Sequence, residues 1–294
     1  MNKDFSFLLN TDFSSFCTLN ATSDQSKEQL YIDSYYAQFD VLGKPIEVLE
    51  KPSVVQNIQL SSEAQAKLSC RHIKEDTRLL LNVTHSQIEQ IRECQTIGKS
   101  VSIVKDEIIG RSCSDAVETE GRFTPEETIN LLQHVLSVLT HMHDRGLTHG
   151  NLSPETIYLR SEDCTPILTQ FEFFQEVLEH SDEPSDPNLR TKVFQLTGSP
   201  VPRGISGDLY CLMLTAVMLL TGRPLEVLFD QQTQSWDWMR YQPLKNNFSQ
   251  LINRMLSFDT DNRYRSAEET LLAIHLLDRN SLSYSSTARV RAYA

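Results

Sequence analysis

The sequence predicts an α+β protein of two unequal lobes, a small β-rich lobe followed by a larger helical one. Three observations lead to this fold class. The patterns from Tyr35 to about Ile109 are mostly strand-like, and the patterns after Gly121 are mostly helical. The length of 294 residues suits one large domain or two lobes that share an interface.

The first lobe is expected to be mainly sheet. A turn at Gly43 lies between two strand-like runs, which is typical of a hairpin. Residues 1–30 are rich in Ser, Thr and Asn but also aromatic, so we expect a first strand or an extension that packs on the domain or on a partner. In chain order the pattern predicts strands at 35–39 and 45–50, a helix at 62–83, and strands at 88–94 and 100–109.

The second lobe is expected to begin with a long amphipathic helix. Thr124 is a typical N-cap, Pro125 suits the first turn, and Glu127 can complete a capping box. Downstream the pattern predicts short strands at 157–159 and 167–168 and helices at 208–221, 248–256 and 267–277. The predicted organisation is an N-terminal extension or first strand (1–30), a β-rich lobe (31–109), a helical lobe (110–278) and a flexible tail (279–294).

Composition excludes several classes of function. A formal net charge of -12 argues against a nucleic-acid binder, which needs clustered Lys and Arg. The six cysteines include no CxxC pair, so we expect buried, reduced thiols rather than zinc or redox sites. Asp4 stands where a signal peptide would be basic, and the apolar run 209–220 is too short to span a bilayer. A cytoplasmic location is expected.

Several motifs occur in an order and at a spacing that resemble those of protein kinases. The loop 146–159 reads GLTHGNLSPETIYL and resembles the catalytic loop HRDLxxxN. The segment 167–172 (ILTQFE) lies where the DFG segment belongs. Similar matches downstream are DLYCLM (208–213), LLTGRP (219–224) and MLSFDTDNR (255–263). The resemblance covers residues 35–278, is closest to bacterial, in particular cyanobacterial, Ser/Thr kinases, and implies the two-lobed kinase-like fold.

The residues that this resemblance aligns with the kinase chemistry are altered. Asn151 replaces the Asp that accepts the substrate proton, and an amide has no useful basicity near neutral pH. Ser153 and Thr156 replace the Lys and the Asn of the same loop. Gln170 and Glu172 replace the Asp and the Gly of DFG, although a carboxylate suits magnesium better than an amide.

In the first lobe, too, the positions that align with the kinase chemistry are altered. The alignment places Leu49 at the lysine of the third strand, with Lys51 two residues further on the same strand face. The helical Glu partner aligns with Asp76, beside Glu75, and residues 27–34 hold no glycine for a phosphate loop.

Three aligned positions indicate a cleft closed to adenine by its own side chains. Tyr158 and Glu47 stand where small residues would pack on the base, and Lys105 aligns with the gatekeeper.

Packing positions, by contrast, match the family. His149, Phe171 and Leu80 align with the hydrophobic spine of kinases, and Asp208 with its buried anchor. Arg263 aligns with the Arg that pairs with the APE glutamate; residues 192–197 hold no acidic residue, so Arg263 needs another partner or stays solvated.

Three further features have simple interpretations. The HxH pair His141 and His143 lacks accompanying acidic or Cys ligands, so no metal is expected. The acidic stretch 176–186 is taken as a solvated loop, and Trp236 and Trp238 as packing residues of the helical lobe.

Together these observations predict a catalytically inactive kinase-like protein, a pseudokinase that acts as a scaffold or allosteric regulator. We expect a protein partner, no nucleic acid, no membrane insertion, no cofactor, and no binding of ATP or magnesium. Two alternatives stay open. One is an atypical phosphotransferase with relocated groups such as Lys51, Asp76, Glu172 or Lys105; the other is a sensor whose remodelled cleft holds a metabolite.

Overall fold

The fold is known from a computed structural model of the chain. The structure describes residues 21–23, 29–39, 45–60, 62, 66–71, 73, 85–172, 187–244 and 247–277. These residues divide into two compact units. The first unit comprises the described parts of 1–70 and 90–107, and the second those of 71–89 and 108–294.

The first unit is built on one antiparallel sheet. Its strands are β1 (Ala21–Ser23), β2 (Gln29–Phe39), β3 (Pro45–Gln59), β4 (Ile91–Ile97) and β5 (Ser100–Asp106), in the spatial order β1-β2-β3-β5-β4. The predicted hairpin is present as β2 and β3, whose register pairs Tyr36 with Leu49. Both strands are longer than expected, because their pairing continues to Gln29 and Gln56.

A helix and the later strands complete the described part of this unit. Residues 66–71 and 73 are helical (α1) and lie within the predicted helix 62–83, whose other residues lie outside the described ranges except 62. Strand β4 begins at Ile91 rather than Ile88, because Ile88 forms only an isolated bridge with Leu168. Ile58, Val101 and Ile103 are buried in this unit.

The second unit is mainly helical. Its helices are α2 (Cys113–Glu120), α3 (Pro125–His143), α4 (Leu189–Thr197), α5 (Ile205–Thr221), α6 (Leu225–Leu228), α7 (Asn247–Met255) and α8 (Ala267–His275). Thr124 caps α3 as predicted: its hydroxyl accepts the Glu127 N–H, and the Glu127 carboxylate accepts the Thr124 N–H at 2.8 Å. Helix α5 is buried along nearly all of its length, and α3 packs against both α5 and α8.

Two small sheets accompany these helices. Strands β6 (Gly110–Ser112), β7 (Ile157–Arg160) and β8 (Pro166–Leu168) form one, and β9 (Phe229–Asp230) and β10 (Ser235–Trp236) the other. Helix α5 begins at Ile205, three residues before the predicted start at Asp208.

Two residues with open roles, Trp238 and Arg263, are packing residues. Trp238 is fully buried and donates its indole N–H to Asn253 Oδ1 at 2.8 Å. The Arg263 guanidinium lies 4.1 Å from the centre of the Tyr210 ring, and its Nε donates to the Ser257 carbonyl at 2.8 Å. Arg263 is therefore buried against an aromatic ring rather than solvated.

In the part of the chain that the structure describes, every helix is too short or too polar to cross a bilayer.

Candidate functional site

The loop that resembles a catalytic loop is held in place by hydrogen bonds to Asp208 of α5. Oδ2 of Asp208 accepts the His149 N–H at 2.9 Å, and Oδ1 accepts the Gly150 N–H at 2.7 Å. Nε2 of His143, at the end of α3, lies 3.0 Å from Oδ2. Asp208 is almost fully buried, so these charge-assisted bonds form in a medium of low dielectric, where they are strong. One carboxylate thus holds α3, α5 and the loop together.

His149 packs inside the same region as a neutral ring. It stacks on Phe171 with ring centres 4.5 Å apart, and its Nδ1 accepts the Asn151 N–H at 3.2 Å. Burial lowers the pKa of His149 to about 4 and outweighs the Asp208 carboxylate, which would raise it. The contact joins the loop to the segment 169–172. Leu80, the third expected spine residue, lies outside the described residues.

Hydrogen bonds within residues 151–156 give the loop a fixed shape. The Thr156 hydroxyl donates to the Asn151 carbonyl at 2.7 Å and accepts the Ser153 N–H at 3.0 Å. The Thr169 N–H donates to the Thr156 carbonyl at 3.0 Å, which ties the loop to the strand end after β8. All of these groups are buried, so water does not compete for these hydrogen bonds.

Gln170 adopts a strained conformation at the edge of this network. Its φ of 54° lies in the left-handed region, which costs energy in a residue other than glycine. The Asn151 side-chain N–H donates to the Gln170 carbonyl at 2.8 Å, and the Gln170 N–H lies 3.3 Å from the carboxylate of the buried Glu89. The strain is therefore maintained by two polar partners, which is common at functional sites.

The Glu172 side chain binds arginines. Its Oε1 accepts from Arg190 at 2.8 Å and lies 3.5 Å from a nitrogen of Arg203. Gly150 leaves room for this side chain: its φ is +71°, and a Cβ there would stand 2.5 Å from the Cβ of Glu172. A glycine at this place in the loop is thus required by both backbone and space.

The loop forms one wall of a cavity of about 330 Å³ in the second unit. Asn151, Ser153, Thr156 and Gln170 contribute polar groups, and Lys192 of α4 contributes a half-buried ammonium group. The remaining lining is Glu155, Pro187, Asn188, Leu189, Met218, Pro224, Leu225 and Glu226. Four of the positions predicted from the loop and DFG resemblance are therefore brought together, and Glu172 is separate from them.

The positions predicted in the first lobe are placed less completely. Leu49 and Lys51 lie in β3, and Glu47 lies there too, but their side chains are outside the described part. Lys105 lies in β5 and is buried, and its register partners are Val54 and Ile91.

Tyr158 lies in β7 and is half-buried, whereas Asp76 falls outside the described residues. His143 binds Asp208, and His141 packs against His85 with ring centres 5.5 Å apart. Among the described residues, no group of three or more His, Cys, Asp and Glu could hold a metal ion.

Three residues of the site were missed by sequence reasoning. Lys192 lies in the segment 192–197, where the kinase resemblance leads one to expect a glutamate, so a functional lysine was not predicted there. Arg190 and Glu89 reach the site from distant parts of the chain, 18 and 81 residues from the groups that they contact. No local pattern indicates such pairs.

Comparison with known proteins identifies the family. The family model described as protein kinase domain matches residues 50–273. The chain therefore belongs to the protein kinase domain family.

Named relatives occur among cyanobacterial enzymes. The chain is 28% identical to serine/threonine-protein kinase D of Synechocystis sp. over 66% of this chain and 39% of that protein. It is 28% identical to serine/threonine-protein kinase PknA of Nostoc sp. over 59% of this chain and 32% of that protein. The chain thus spans well under half the length of these relatives.

Solved structures confirm the fold. A structure titled as the Rad53 kinase domain and SCD2 in complex with AMPPNP covers 92% of each chain with a TM-score of 0.56 at 14% identity. The apo form of PpkA-294 covers 87% of this chain and 94% of that one with a TM-score of 0.58 at 13% identity. The expected two-lobed, kinase-like α+β fold is correct.

Three functional expectations are wrong. A kinase family model and relatives named as serine/threonine kinases point to an enzyme, against the predicted inactive scaffold and its two alternatives. Family membership also implies ATP with magnesium, against the expectation that neither binds. The physical error was to treat each altered side chain as a lost function, although phosphoryl transfer depends chiefly on positioning and on the electrostatics of the whole site.

The cavity fits a magnesium ion that arrives with phosphate ligands. Mg²⁺ commonly keeps several waters and takes only one or two protein ligands beside substrate phosphates. The amide oxygens of Asn151 and Gln170 and the rim carboxylates of Glu155 and Glu226 are oxygen ligands of the required kind. These residues do not suit an ion held by protein alone.

Proposed function

We propose that the chain is a serine/threonine protein kinase domain that transfers the terminal phosphoryl group of ATP to a hydroxyl group of an acceptor protein. The observation that carries this proposal is the hydrogen-bonded polar loop, anchored by Asp208, which forms a wall of the cavity together with Gln170 and Lys192. Family membership and the names of the cyanobacterial relatives support the reaction class.

The proposed role of Asn151 is to position groups rather than to remove a proton. Its side-chain N–H is committed to the Gln170 carbonyl, so the amide fixes the left-handed backbone of Gln170. Phosphoryl transfer proceeds through a loose transition state in which little proton removal is needed early. A chain with an amide at this position therefore relies on orientation, and we expect slow turnover.

The proposed role of Lys192 is to attract negative charge into the cavity. Among the residues that the structure describes, its ammonium group has no ion-pair partner, and it lies with the hydroxyl-bearing Ser153 and Thr156 in the lining. The carboxylates of Glu155 and Glu226 are exposed, so water screens them more strongly than the half-buried Lys192. Magnesium, when bound with ATP, would neutralise phosphate charge beside the amide oxygens of Asn151 and Gln170.

Transfer of label from ATP tests the proposal. The purified chain with magnesium, γ-labelled ATP and a general acceptor protein should label the acceptor on Ser or Thr. Lys192→Ala should lower kcat/KM by about tenfold or more, because a charge-assisted contact to phosphate is removed. Lys99→Ala, at an exposed turn between β4 and β5, should leave it unchanged.

Two negative results would have different consequences. Label no higher than in a protein-free blank, from a chain whose circular dichroism shows it to be folded, would overturn the proposal. Equal activity of the Lys192→Ala and Lys99→Ala variants would overturn only the role of Lys192.

We also propose an N-terminal extension or first strand at 1–30, lobes at 31–109 and 110–278, and a flexible tail at 279–294. The cytoplasmic location stays a prediction.

A further inference from the structure

Two buried cysteines of the first unit are in contact. Cys70 lies in α1 and Cys94 in β4, and their sulfur atoms are 3.2 Å apart. Only 5% of Cys70 and 3% of Cys94 is exposed. The contact joins residues 24 positions apart and links a helix to a strand, so it arises from the tertiary fold and not from local sequence.

We propose that Cys70 and Cys94 are a modification site that a small-molecule disulfide oxidises to a reversible intramolecular disulfide. A disulfide bond requires a distance of about 2.05 Å between the two sulfur atoms, so the distance between them must decrease by only about 1 Å. Rotation about the side-chain torsions supplies a shift of this size.

The reaction is a pair of thiol–disulfide exchanges. One cysteine thiolate attacks glutathione disulfide, forms a mixed disulfide and releases one glutathione thiolate. The second thiolate attacks the protein sulfur of that mixed disulfide, forms the Cys70–Cys94 bond and releases the second glutathione. Two electrons pass from the protein sulfurs to the oxidant, and the two thiol protons pass to the released glutathiones.

Access to the buried sulfurs is through α1. The Lys67 and Leu68 side chains of α1 are exposed, so a local opening of this helix uncovers Cys70 without unfolding the sheet. Once formed, the bond holds α1 on β4 and constrains the unfolded chain between residues 70 and 94. Oxidation is therefore expected to stabilise the first unit.

Peptide mapping of the full native chain tests this site. After incubation with glutathione disulfide, remaining thiols are blocked with N-ethylmaleimide and the chain is cut with trypsin without reduction. The expected product joins peptide 68–71 (LSCR) to peptide 93–99 (ECQTIGK), and dithiothreitol should release the two. The thermal midpoint of unfolding should rise by several degrees on oxidation.

Two variants and one condition serve as controls. Cys164→Ala removes a half-buried thiol of the second unit and should still give the joined peptide; Cys94→Ala should abolish both the product and the rise in midpoint. Modification of Cys164 with Cys70 and Cys94 both recovered as maleimide adducts would overturn the proposal. So would a joined peptide that appears only when the chain is oxidised in urea.

Discussion

At the scale of single residues, Gly150 shows how closely the loop is fitted to its surroundings. Its positive φ and its N–H bond to Asp208 place it where a side chain would collide with Glu172. Glu172 cannot retreat freely, because its carboxylate binds Arg190 and its N–H donates to the His149 carbonyl at 2.9 Å. One glycine thus allows the loop and the segment 169–172 to approach.

Gly150→Ala should therefore destabilise the chain by more than the cost of the left-handed backbone conformation alone. The left-handed conformation costs about 1–2 kcal/mol for alanine, and overpacking adds about 1–3 kcal/mol. Gly146→Ala is the matched control, since Gly146 has a φ of +74° and nothing within 4 Å of an added Cβ. Urea unfolding of both variants measures the difference; equal free energies of unfolding would contradict the collision.

His149 makes stability depend on pH. Burial lowers its pKa to about 4 in the folded chain, below its ordinary value of 6.5. The unfolded chain therefore takes up a proton as the pH falls through 6.5 while the folded chain does not, and the free energy of unfolding decreases until about pH 4. The stabilisation is complete above pH 6.5 and its loss amounts to up to about 3 kcal/mol.

Urea unfolding at roughly pH 7 and roughly pH 5 measures this loss. The fall in the free energy of unfolding should be smaller in His149→Gln than in the natural chain, and unchanged in His134→Gln, whose ring is exposed. His85, whose pKa is also lowered by burial, contributes equally to all three proteins. The same fall in His149→Gln as in the natural chain would contradict the assignment.

At the scale of elements, local sequence signals predicted only those features that depend on residues close together in the chain. The start of α3 followed from Thr124, Pro125 and Glu127, because a capping box joins residues three apart. The true start of β2 at Gln29 was missed because strand length there is set by pairing with Gln56 on β3. Sequence indicates where a strand is possible, and its partner decides where it ends.

The candidate site likewise contains residues whose proximity the sequence predicts and residues whose proximity it does not predict. Asn151, Ser153 and Thr156 lie within one loop, so their proximity could be predicted from their spacing. Lys192 and Arg190 come from α4, and only the packing of that helix brings them near the loop. Polar contacts between distant segments have no local signature.

At the scale of the whole molecule, the fold class was predictable because it depends on the order and periodicity of many elements. A strand-rich part before a helix-rich part needs no single residue to be assigned correctly. The reaction class was not predictable by the same reasoning, since it was judged from a few altered positions. Asp208, His149 and Phe171 keep the framework of the loop, and under the proposed function the neutral groups of that loop orient phosphates.

The folded chain should consequently be stabilised by ATP with magnesium. A ligand at about 100 times its dissociation constant adds about 2.7 kcal/mol to the free energy of unfolding, which corresponds to a rise of about 4 °C in the thermal midpoint for a chain of this size. Differential scanning fluorimetry against ATP concentration measures the rise, with magnesium alone as the control. Lys192→Ala should shift the titration to higher ATP concentration, because the cavity then lacks its half-buried cation. A midpoint that stays constant at every ATP concentration would contradict nucleotide binding, whereas a rise that is equal in both proteins would place the phosphates away from Lys192.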